Sequence, residues 1–177
     1  MSSTSLTVRE SGVAGVQRAR AAAALAVPLL LVDGVIMLVA GDALSDHSRG
    51  PGLWSEFVVG LAFLAGAVAL AGLTPTSGTL RRAWLLGPAG LAVAGLTMIG
   101  VVLTGSEPAE WLFALAVLPT FVGLVLDGIF GVRRGVWPWW TGAGVALFLP
   151  VMFIAPYNSF VMAAIWLAVA CTARRPG

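Results

Sequence analysis

From residue 21 to residue 173 the chain alternates long apolar runs with short polar connections. Six runs stand out, at 21–41, 54–73, 83–104, 110–132, 139–155 and 157–173. Most approach the ~20 residues that an α-helix needs to cross ~30 Å of hydrocarbon at about 1.5 Å per residue. The last two are shorter, and only Pro156 and its neighbours separate them. Together they are too long for one crossing, so the pattern predicts a tight helical hairpin there. Residues 1–20 (MSSTSLTVRESGVAGVQRAR) are Ser/Thr-rich and weakly patterned, which predicts a mobile polar tail ahead of a membrane domain over 21–177. The fold expected is all-α: a polytopic bundle of six transmembrane helices.

The connections alternate in charge. Arg18 and Arg20 precede the first run, Arg81 and Arg82 lie between the second and third, Arg133 and Arg134 follow the fourth, and Arg174 and Arg175 close the chain. The other connections, DALSDHSRGPG, GSEPAE and PYN, hold acids and only Arg49. The positive-inside rule assigns the arginine-rich side to the cytoplasm, and an even count of six spans then makes both termini cytoplasmic. The first run has basic flanks and VAGDA near its end, as a cleaved signal peptide would. Its apolar core is longer than a signal core, however, and Asp33 interrupts it, so it reads as an anchor. Trp54, Trp111 and Tyr157 fall near one expected boundary, and Trp84, Trp137, Trp139 and Trp140 near the other, the pattern of interfacial belts.

Composition excludes the soluble alternative. Of the 177 residues 59% are hydrophobic and 10% charged, too little charge to cover a soluble fold of this size. All ten basic residues are Arg, and with the abundant Ala, Gly, Val and Leu this points to a GC-rich bacterial genome and a bacterial cytoplasmic membrane. A net charge of +2 gives no footprint for nucleic acid. The single Cys171 excludes an intramolecular disulfide, and with His47 alone it cannot build a zinc site, so neither metal nor cofactor is expected. The partners expected are the lipid bilayer and another membrane protein or a second copy. Faces of small residues, Ala62 with Gly66 and Gly123 with Gly131, suit such helix contacts.

No nucleotide-binding, metalloprotease or redox motif is present. His47 reads as a solvated loop residue, Asp42 and Asp46 as loop charge, and Glu107 and Glu110 as acids at a helix N-terminus. Three acids remain as candidate site residues: Asp33, Glu56 and Asp127. A charged carboxylate at the bilayer centre costs at least ~2.5–3.5 kcal/mol, so such residues face a bundle interior. Asp127 shares a helix face with Gly123 and Gly131, small residues that let a neighbouring helix cover it. Arg133 and Arg134 follow about 9–10 Å along the axis, within reach of a folded-back ion pair.

Asp33 has no such explanation. It lies eight residues before Gly41, ~12 Å from the expected boundary, and its helical neighbours Leu29, Leu30, Ile36 and Met37 cannot donate to it. Either another span supplies a donor, such as Thr97, Thr120 or Thr141, or water reaches it, or it is neutral and holds its proton. Glu56, beside Trp54 and Ser55, reads as an interfacial acid at a helix start.

The two Asp-Gly pairs, at 33–34 and 127–128, raise the question of an inverted repeat of two halves. The sequence resembles no known family. It leaves three functional classes: a non-catalytic accessory or regulatory membrane component, a proton-coupled small-molecule transporter using Asp33, and a membrane enzyme on an apolar substrate. The last would resemble an isoprenoid cyclase in its chemistry, with Asp33 as acid and Trp166 stabilising a carbocation.

Overall fold

The computed structural model describes residues 3–46, 49–75, 79–106 and 110–174. The expectations for His47, Glu107 and Arg175 lie outside the described residues. Within them the chain is helical throughout: α1 (Ser3–Ala40), a short 3-10 helix (Gly41–Ser45), α2 (Gly50–Gly72), α3 (Thr79–Thr104), α4 (Glu110–Arg133), α5 (Trp139–Ala146), α6 (Phe148–Ile154) and α7 (Asn158–Thr172). Residues 3–20, read from the sequence as a tail, continue the same helix as the first apolar run.

The expected count of six transmembrane helices is corrected to four. Among the described residues only Val13–Ala40, Gly50–Gly72, Leu80–Thr104 and Ala116–Arg133 are long and apolar enough to cross a bilayer. The fifth apolar run is divided at Leu147 into helices of 8 and 7 residues, and the sixth yields a helix of 15 residues. Backbone chemistry explains the division. Pro150 has no N–H for the carbonyl of Ala146, four residues earlier, and its ring crowds that oxygen; α5 ends at Ala146. Pro156 and a left-handed Tyr157 (φ 51°) delay the next helix to Asn158. Four is also an even count, and Arg20 meets the Ala173 carbonyl, so the chain enters and leaves the bundle at the same end.

Each helix from α1 to α5 packs on the next in chain order, and α7 closes the bundle against α1. At the arginine-rich end the closure is hydrogen-bonded. Arg20 donates through Nε (2.9 Å) and Nη2 (2.7 Å) to the Ala173 carbonyl, and the Arg174 N–H donates to Val136 O at 2.7 Å. Two of the tryptophans expected in a belt are instead core residues. Trp84 and Trp137 are buried with ring centroids 5.7 Å apart, and Trp84 Nε1 donates to Leu70 O at 2.9 Å. Trp54, Trp111, Trp139, Trp140 and Tyr157 are exposed, as expected of belt residues. In the middle of the bundle Phe148 packs 5.6 Å from Phe63 and 5.5 Å from Trp166. Gly66 accommodates the indole of Trp166, since a Cβ there would strike the ring.

Candidate functional site

Asp33 is buried, at 2% exposure, in the C-terminal third of α1. Two helices supply its partners. Ser55 of α2 donates to Oδ1 at 2.5 Å, and Ser159 of α7 donates to Oδ2. Ser159 Oγ also lies 3.2 Å from Asn158 Oδ1 and 3.6 Å from Met37 Sδ. Its one proton goes to the carboxyl, the strongest acceptor of the three.

The break between α6 and α7 creates this arrangement. Asn158 Nδ2 donates to Met152 O, tying the start of α7 to the last turn of α6. Helix α7 therefore starts beside Asp33, and Ser159 is its second residue. Asp33 thus lies at the N-terminal end of a helix, where free backbone N–H groups and the helix dipole favour negative charge. Gly34 completes the fit, because the Phe160 ring occupies the space a side chain would need.

The threonines considered from the sequence do not reach Asp33. Thr97 donates to Val93 O (2.9 Å), Thr120 to Ala116 O (2.6 Å), and Thr141 pairs with Thr172 at 3.2 Å. A hydroxyl inside a helix satisfies itself on the carbonyl four residues back. Ser159, in the first turn of α7, has no such helical carbonyl and turns to the carboxyl instead. The signal available in the sequence was depth: Ser55 and Ser159 both follow helix starts at the end of the bundle where α1 finishes. Glu56 is half-buried one position beyond Ser55, and Asp33 is held by Ser55 rather than through it.

Asp127 has the opposite environment. It is wholly buried, and among the described residues neither carboxyl oxygen has a hydrogen-bond partner. The folded-back ion pair with Arg133 or Arg134 is therefore not made. The glycine stripe acts as its spacing implies. Gly123 brings the α4 backbone against Gly87 of α3, Gly131 admits the Trp137 ring, and Asp127 lies over Gly87 between them. The two aspartates form no carboxyl pair, since serines occupy both oxygens of one and the other has no partner.

Both Asp-Gly pairs share one device. The glycine beside each acid lets another element approach closely: Phe160 at Gly34, and the α5 backbone of Gly142 at Gly128. Trp166 is enclosed by Phe148 and Gly66, its indole N–H without an acceptor among the described residues. Set against family models, curated proteins and solved structures the chain matches none, and its function is read from this geometry.

Proposed function

We propose that this multi-pass membrane protein is a proton-coupled carrier of a small molecule in a bacterial cytoplasmic membrane, with Asp33 as the group that takes and releases the proton. The observation that carries the reading is Asp33 held by Ser55 and Ser159 at the start of α7, a short helix set off from α6 by a break at residues 155–157. Intramembrane acids are costly and are retained where protons or ions are handled. Helices interrupted inside the membrane, with their ends turned toward charge, are the usual frame of carrier sites. The left-handed Tyr157 adds local strain of about 1–2 kcal/mol at the same place. Asn158 and Ser55, both partly exposed, lie between the buried carboxyl and the surface and offer polar groups to a substrate.

The accessory reading drew on the absence of catalytic motifs and on small-residue faces free to meet a partner. Gly66, Gly123 and Gly131 are instead occupied within the chain, by Trp166, the α3 backbone and Trp137. The cyclase-like reading needs acid and indole at one cavity, yet Trp166 follows Ser159 by seven residues, about 10 Å along α7.

The test does not require the substrate. In lipid, a pH step should produce an infrared carboxyl difference band that Asp33→Asn removes, with yield and thermal stability retained. An Asp33→Asn protein whose pH-difference spectrum equals that of wild type would refute the assignment. Proteoliposomes with a trapped pH dye and a panel of amines, amino acids and sugars then identify the class carried. Wild type should move protons with one class, and Asp33→Asn should not.

A further inference from the structure

We propose that Asp127 is a second proton-binding site, set in the α3–α4 interface against Gly87 and opening toward the arginine-rich end of the bundle. The proposal rests on the proton-coupled reading above but on separate residues. Asp127 is 0% exposed and neither of its oxygens meets a donor among the described residues. A buried carboxylate without donors or a counter-charge loses its hydration with nothing in return, so the group stands there as the neutral acid. Its place is built for it. A Cβ at Gly87 would collide with Oδ2, and a Cβ at Gly123 would collide with the Gly87 nitrogen; both glycines are needed to seat the carboxyl. On the facing turn of α3, Pro88 follows Gly87 and has no N–H to give the Trp84 carbonyl.

The same two residues make the site able to open. Gly87 and Pro88 weaken α3 where it covers Asp127, since the glycine removes packing and the proline removes a helix hydrogen bond. The helices packed on α4 are α3 and α5. On α3 the charged groups are Arg81 and Arg82, exposed, and α5 has none; on α4 itself Arg133 and Arg134 are exposed at its end and Glu110 begins it, about 25 Å away along the axis. Arg133 lies ~9 Å beyond Asp127 along α4. A modest parting of α3 from α4 therefore exposes the acid toward a ring of arginines, whose field favours loss of the proton. Asp33 lies toward the other end of the bundle, so the two acids face opposite sides.

An apolar carbodiimide tests this, because it modifies protonated carboxyls inside an apolar phase and the adduct is located by peptide mapping. In wild-type protein in lipid, Asp127 should be labelled at acidic pH and the label should fall as pH rises. Asp127→Asn should remove it and Asp33→Asn should leave it. A folded wild-type protein in which Asp127 takes no label, or takes a label that ignores pH, would make it a sealed structural acid and overturn the proposal. The wild-type map decides even if Asp127→Asn fails to fold. Labelling and infrared response at Asp33 are read in the same samples, so loss of the Asp127 site alone leaves the Asp33 reading intact.

Discussion

Removing the Ser159 hydroxyl is the sharpest test of the tie between α1 and α7. Ser159 is 0% exposed and Asp33 2%, so no water can replace the donor lost in Ser159→Ala. The cost is then the penalty of an unsatisfied buried acceptor, about 1–3 kcal/mol, rather than the ~0.5–1.5 kcal/mol net value of an ordinary hydrogen bond. For a chain of this length each kcal/mol moves the melting temperature by about 2–4 °C, so a fall of roughly 2–12 °C is expected. Ser55 is partly exposed, and Ser55→Ala should cost less, near the lower of these ranges. The decisive measurement is a double-mutant cycle in detergent, followed by circular dichroism on heating. In an Asp33→Leu background the carboxyl is gone, so Ser159→Ala should cost close to nothing, a coupling of about 1 kcal/mol or more. Additive effects of the two substitutions, or a Ser159→Ala protein as stable as wild type, would show that the hydrogen bond contributes nothing.

Other expectations follow from the packing. Gly66→Ala drives a methyl into the Trp166 ring and should destabilise by about 1–3 kcal/mol, seen as a lower melting temperature; an unchanged value would mean the indole has room to move. Trp84→Phe removes the N–H that donates to Leu70 O at 2.9 Å and leaves a void where the fully buried five-membered ring packed, a loss of about 1–3 kcal/mol on the same assay. Pro150→Ala restores an N–H for the Ala146 carbonyl, so α5 and α6 should join, and the new amide at position 150 should be strongly protected in hydrogen exchange. Rapid exchange there would mean that tertiary packing, not the proline, breaks the helix.

An all-α membrane protein was legible from hydropathy alone, because hydropathy is a property of each residue and sums along a run without knowledge of neighbours. The sequence also identified the Gly123–Asp127–Gly131 face, since 3.6 residues per turn fixes which side chains share a stripe. Run length failed at the last two segments. Hydropathy does not register a lost backbone hydrogen bond, and Pro150 and Pro156 divide apolar sequence that reads as nearly continuous. Yet Pro28, Pro88 and Pro119 lie inside unbroken helices, so the residue type alone does not tell which prolines interrupt. The partners of the acids were not legible along the chain and emerge from the packing. Ser55 and Ser159 reach Asp33, and Thr97 and Thr120 do not, because a hydrogen bond between helices requires matching depth and matching rotation about both axes. Asp127 goes without Arg133 or Arg134 for the same reason: spacing along one helix allows a contact, while burial at Gly87 turns the carboxyl toward another.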